Sequence, residues 1–147
     1  MKKYGAVYKE ESYKMFHREQ YIADFVELST NMGKELEIRI RKDCDLSLFK
    51  FIDLAVLQEN RIIYTEGVHT WIDERCTPET QDGVKRKLKA WGLKGYDQLA
   101  IMHMSSAINM MDDYWIDFNT GATFNENHPN GNNFKCILKD PNFCKEI

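Results

Sequence analysis

YKMFHREQYIADFVELSTNMGKELEIRIR, residues 13–41, holds three apolar runs with a period near two: YKMFH, YIADFVEL and ELEIRI, parted by the polar REQ and by STNMGK. In the last run Leu36, Ile38 and Ile40 alternate with Glu37, Arg39 and Arg41. Successive side chains of a strand point to opposite faces, so this is a strand with one apolar and one wet face. Joined by such short connections, the three runs predict a small antiparallel meander. Asn31 and Gly33 provide the second connection with residues that tolerate positive φ. An additional short strand is expected at Gly5 to Tyr8.

Downstream the period changes. LSLFKFIDLAVLQEN places Leu48, Phe51, Ile52, Ala55 and Val56 three and four apart, and with Asp45 or Ser47 as cap it predicts a helix from about Ser47 to Glu59. RIIYTEG reads as strand or link. In VHTWIDERC, Val68, Trp71, Ile72 and Arg75 fit one helical face, stopped by Thr77 and Pro78. A clearer helix follows, with Pro78 at its first position (Thr80 with Gly83 permitting a later start), Val84, Leu88 and Trp91 as its apolar stripe and Gly92 at its end. Another opens near Tyr96 with Leu99, Ala100, His103 and Met104 on its apolar face. DDYWIDF is a short extended piece carrying Tyr114, Ile116 and Phe118 on one side and Trp115 on the other. After Asn119 the chain is Asn-rich with turn signals at Pro129, Asn130 and Gly131, and Lys135 to Leu138 has the character of an edge strand.

The fold class expected is therefore α+β: an N-terminal antiparallel meander, three to four helices, a short Tyr-Trp strand and a loop-rich C-terminal arm. A chain of 147 residues fits a single domain. Its expected parts are an N-terminal arm 1–12, a core 13–118 and an arm 119–147. Composition is ordinary globular stock, 43% hydrophobic and 29% charged, which argues against disordered and fibrous classes. A net charge of -3 excludes a wholesale basic coat for nucleic acid but leaves room for a local basic patch. The start MKKYGAVYKEESYK reaches Lys9, Glu10 and Glu11 before any leader-length apolar run, and no stretch is long enough to span a bilayer. A cytoplasmic chain without membrane contact is expected. Cys44, Cys76, Cys136 and Cys144 are read as free thiols.

KMFHREQYIADFVEL resembles the opening hairpin of a family of bacterial and phage-borne HipA-like kinase proteins, where a histidine and a basic residue precede a turn. CTPETQDGVKRKLKAWGLKGYDQLAIMHMSSAINMMDDYWI resembles the same proteins' stretch leading into the kinase body. The matching positions are Pro78, Asp82, Gly83, Val84, Leu88 and Leu99, then Asp112, Tyr114, Trp115 and Ile116. Where those relatives carry a glycine after the second helix, this chain has Ser106 or Ala107, so the helix is expected to run further. After Ile116 only 31 residues remain, and they hold no Gly-rich nucleotide loop and no HRD or DFG run. The resemblance thus implies the non-catalytic N-terminal region of such a protein, with Asp112, Tyr114 and Trp115 at a structural junction.

No residue set rises to a catalytic constellation, and the chain is expected not to be an enzyme and to need no cofactor. His128, Cys136 and Cys144 are eight apart each time, whereas structural zinc sites use tight pairs, so no metal site is expected. Glu66, His69, Asp73 and Glu74 share a helical face, and Asp112, Asp113 and Asp117 cluster in sequence; solvated surface accounts for both groups. His103 is expected to be partly buried with one hydrogen-bonded nitrogen. Lys85, Arg86, Lys87, Lys89 and Lys94 put five cations in ten residues with no acid between, which reads first as snorkelling lysines on a solvated helix and otherwise as a binding surface for an acidic protein face or for phosphates. Tyr4, Tyr8 and Tyr13, with Phe124, Phe134 and Phe143, form aromatic arms suited to wrapping a second copy. The function expected is a protein-interaction or regulatory module, carried by a phage or mobile element, that binds or occludes a protein partner, with homodimerisation left open. The alternative is a nucleic-acid-associated accessory or repressor protein using the helix over 84–94.

Overall fold

The computed structural model of the chain describes residues 4–49, 60–75, 89, 95–108, 112–119, 123–124 and 134–135. Strands β1 (Val7–His17), β2 (Gln20–Thr30), β3 (Gly33–Ile40), β4 (Ile62–Ile63) and β5 (Tyr114–Asp117) form one sheet in the order β4-β3-β2-β1-β5, antiparallel throughout. The expected meander is therefore present, and β5 returns from far along the chain to close on β1. Helices α1 (Thr65–Arg75) and α2 (Gln98–Ser105) accompany it, so the chain is α+β. A two-stranded sheet pairs β6 (Thr123–Phe124) with β7 (Phe134–Lys135); the edge strand expected near Lys135 joins β6, not the larger sheet.

Alternation sets the register. Tyr13, Phe25, Ile38 and Ile63 lie opposite one another across β1, β2, β3 and β4, and Met15, Ala23 and Ile40 form the next rank with Ile116 of β5. All but Tyr13 are buried. Between Met15 and Phe16 the β1–β2 register shifts, leaving Ile22 as the extra residue of a bulge. That is why Ile22 and Ala23, neighbours in sequence, are both fully buried in one core. Gly33 turns the β2–β3 connection at φ 117, as its sequence position requires, whereas Asn31 has no positive φ and its side chain instead accepts from the Ala6 amide at 2.7 Å. Gly5 passes this tip so closely that an added Cβ would sit 2.2 Å from Asn31 Oδ1. The separate strand expected at Gly5 to Tyr8 is the beginning of β1, so residues 7–12 pair within the sheet.

An isolated helix of 11 residues is marginal in water, so α1 depends on docking. Val68, Trp71 and Ile72 are its buried residues, each contributing roughly 1.5–3 kcal/mol of hydrophobic burial. The Thr65 hydroxyl ties its first turn to β3, donating to Glu35 and accepting from the Leu36 amide at 3.2 Å. α2 starts where Asp97 accepts from the Ala100 amide at 3.2 Å and ends at Ser105. It does not run on: Ser106 (φ 57) and Ala107 (φ 58) both adopt the left-handed region. That costs a residue with a Cβ roughly 1–2 kcal/mol. Their carbonyls offset it, for Ser106 O accepts from the Ile116 amide at 2.9 Å and Ala107 O from Arg75 Nε at 2.6 Å. Of the helix expected from Ser47, the described part is a single 3-10 turn, Leu46–Leu48, with Asp45 as its cap; the remainder of that helix, nearly all of the one expected over 77–92, and most of the arm 119–147 lie outside the described residues.

Candidate functional site at the open edge of the sheet

β1 is eleven residues long and β5 covers its outer side only from Lys14 to His17. Among the described residues nothing pairs with that side of β1 from Val7 to Tyr13. β5 ends at Asp117, and Asn119 beyond it takes φ 61. Backbone donors and acceptors on such an edge are satisfied by water or by another strand. The most exposed large apolar side chains among the described residues gather at this end: Val7 (48% exposed), Tyr8 (75%) and, at the adjoining β2–β3 tip, Met32 (83%). Tyr8 is displaced outward because the register shifts between Val7 and Lys9.

Charges line both faces of the edge. Lys9 Nζ bridges Glu11 at 3.2 Å, and the Tyr13 hydroxyl donates to Glu11 Oε2 at 3.0 Å. The Lys9 contact first, then the Tyr13 hydroxyl, hold the Glu11 carboxyl below its usual range. Burial and the Glu11 bond, with the charge of Glu27, push Tyr13 up to about 12. On the other face Arg39 reaches across β2 to Glu10 at 3.0 Å and also meets Glu37 at 2.8 Å, which accepts from the Tyr4 hydroxyl at 2.8 Å. Val26 and Leu28, on the same face, are buried.

Beneath the edge, on the apolar face, sits Glu27, 4% exposed. Its carboxylate meets His103 Nε2 of α2 at 2.5 Å and Lys34 Nζ at 3.2 Å. His103 stacks on Phe118 with ring centroids 4.0 Å apart and meets the Tyr13 ring edge-on at 5.3 Å. It thus has one hydrogen-bonded nitrogen, as its sequence position implied. Burial pushes the Glu27 carboxyl up, but the bond and charge of His103, together with Lys34, outweigh this and leave it below the ordinary value. Glu27 carries no motif in the sequence, although an acid in register with Ala23 and Phe25 on the inward face of β2 is the sign of a buried partner.

Asp112, Tyr114 and Trp115 converge where β5 enters the sheet. Arg75, whose side chain is 2% exposed, grips Asp112 with two bonds of 2.7 and 2.8 Å, donates to Ala107 O and Tyr114 O, and lies 4.4 Å over the Trp71 ring. Tyr114 donates to Leu48 O; Trp115 donates to Arg18 O at 2.7 Å and stacks on Phe16 at 4.6 Å. Asp113 instead pairs with Arg18 at 3.0 Å and Asp117 accepts from the Asn119 amide at 2.9 Å, so the three aspartates do not share a site. Glu66, His69, Asp73 and Glu74 all lie exposed on α1. Cys44 is a buried free thiol, its pKa raised by burial. No group of three metal-ligating side chains converges among the described residues. Of the basic set, Lys89 is exposed; Lys85, Arg86, Lys87 and Lys94 lie outside the described residues, as do Cys76, His128, Cys136 and Cys144.

Among the described residues no helix is long and apolar enough to cross a membrane. No family model, curated protein or solved structure matches the chain.

Proposed function

We propose that the chain is a small non-catalytic interaction module of the cytoplasm that takes a partner's strand on the open edge of β1 and so binds or occludes that partner. The observation that carries this reading is the seven-residue stretch from Val7 to Tyr13, unpaired on one side among the described residues and flanked by exposed Val7, Tyr8 and Met32. Strand addition supplies main-chain hydrogen bonds for affinity, and the alternating side chains choose the partner. Lys9, Glu10 and Glu11 suit that selective role: they keep the edge soluble and reject strands of the wrong charge order.

Kinship with the N-terminal region of HipA-like kinase proteins, and with it a phage or mobile-element setting, is part of the same proposal. It is supported by the turn after α2: at the place where those relatives carry glycine, Ser106 and Ala107 take positive φ. The basic helix over 84–94 keeps its second-rank role as a contact for an acidic face or for phosphates on sequence grounds alone.

The test is affinity capture from native cells with the wild-type chain and with Val7→Lys/Tyr8→Lys, which plants cations on the edge. The expected result is a co-eluting protein lost with the variant while its circular dichroism and melting are unchanged. Capture of the same proteins by both chains, or of none by either, would overturn the reading.

A further inference from the structure

We infer that the strand taken by the β1 edge is β1 of a second copy, the two chains joining antiparallel about a two-fold axis through Glu10 into one continuous sheet. This rests on the proposed edge-docking reading and names its partner.

The register follows from three constraints. First, β5 occupies the edge from Lys14 onward, so among the described residues the part of β1 with no partner on that side is 7–13, and Glu10 is the middle of that stretch. Second, opposite residues of an antiparallel pair must both turn their amides toward the partner or both away. A two-fold between identical strands therefore has to be centred on a residue, not between two. Third, charge separates the remaining choices. Centring on Lys9 sets lysine against lysine, and centring on Glu11 sets glutamate against glutamate while driving Tyr8 of one copy toward Lys14 of the other, where Asp117 already pairs.

Centring on Glu10 also sets two glutamates against each other, but each Glu10 already has Arg39 as its partner, and Lys14 is left to Asp117. Lys9 then lies opposite Glu11 of the second copy and Glu11 opposite its Lys9. Within each chain these two already bridge at 3.2 Å on one face, so four alternating charges close around the axis. The two Glu10 side chains meet on the other face, and each brings its own Arg39 at 3.0 Å, which in turn is held by Glu37. The register shift at Tyr8 breaks the alternation beyond Lys9, so the pairing that the register fixes is that of Lys9, Glu10 and Glu11, with the exposed Tyr8 and Val7 at its flank. A two-fold interface uses the same patch twice, so this self-complementary order of charges is what such a symmetry demands.

Light scattering behind size exclusion, over a concentration and salt series on the full chain, tests the pairing. The expected mass is twice 17.3 kDa, falling toward 17.3 kDa as salt rises. Lys9→Glu or Glu11→Lys alone turns two attractive cross-strand pairs into repulsive ones and is expected to weaken the dimer by at least about tenfold. The double variant Lys9→Glu/Glu11→Lys restores the order and is expected to recover the wild-type mass, which separates a lost contact from a misfolded chain.

A dimer that survives both single reversals, or that the double variant fails to restore, would overturn the inference. A wild-type monomer at every concentration would also overturn it, and amide hydrogen exchange then tells the two readings apart. Fast exchange over Val7 to Tyr13 leaves the edge open to a different partner, while slow exchange means the chain covers its own edge and both readings fall.

Discussion

Arg75 and Glu27 are both charged and both buried, and the protein holds them in opposite ways. Around Arg75 four of the five N–H donors meet a fixed acceptor: the two Asp112 oxygens, the Ala107 carbonyl and the Tyr114 carbonyl, with Trp71 against the flat of the guanidinium. Three of those groups come from the segment that joins α2 to β5, so one side chain of α1 pins that segment to the helix. Arginine does not titrate in the working range, and its planar fork fits this set of acceptors. Around Glu27 the partners are an imidazole with 29% of its side chain exposed and a lysine with 44% exposed. The first lock is permanent. The second depends on the charge of Glu27, whose carboxyl is held below its ordinary value, and it is the second that fastens α2 beneath the β1 edge.

Breaking the Arg75 lock is the most damaging change. Arg75→Ala leaves Asp112 without its partner and two carbonyls without a donor, and a destabilisation of about 3–5 kcal/mol is expected by chemical denaturation. A loss below about 1 kcal/mol would show that the junction is held by β5 pairing alone.

Glu27→Gln is expected to cost less, about 1–3 kcal/mol near neutral pH, because one charged hydrogen-bond partner is replaced by an amide of the same shape. Its sharper signature is in pH. The folded-state pKa of Glu27 lies below the ordinary 4.5, so the stability it lends is present above 4.5 and is lost as pH falls through the depressed value. Wild-type melting temperature should therefore drop faster than that of Glu27→Gln on acidification below pH 4.5. Parallel acid limbs for the two proteins would remove Glu27 as the source. The mildest change is Lys34→Met, which takes away the more exposed partner; at most about 1 kcal/mol is expected, since a half-exposed lysine is well screened. A larger effect would make Lys34, and not His103, the group that holds the buried carboxylate.

Legibility followed the range of the interactions. Leu36, Ile38 and Ile40 announced β3 because a strand with one wet face must alternate. Asp45 read as a cap, and a helix start near Tyr96 was legible, because capping is a contact of two or three residues along the chain. The bulge at Ile22 was hidden: an extra residue breaks the alternation locally, and only pairing with Met15 and Phe16 fixes where it falls. The end of α2 was misjudged for a related reason. Serine and alanine do not favour positive φ, and the carbonyl acceptors that make Ser106 and Ala107 adopt it are committed to Arg75 and Ile116, distant in sequence. Of the candidate edge, Tyr8 and Tyr13 stood out as unabsorbed aromatics, but that β1 outruns β5 was invisible in the order of residues.

Amino-acid order alone settled the class of the protein. Period-two runs early in the chain, followed by three-and-four spacings, dictate an antiparallel meander with helices, since each pattern buries its apolar side chains in only one kind of backbone. Tertiary structure alone decided which charges go inside, where the sheet stops, and which part of its rim stays open. Those outcomes depend on pairs such as Glu27 with His103 and Arg75 with Asp112, brought together from 76 and 37 residues apart. The free energy that joins such residues comes from packing the whole core, and no local segment contains it.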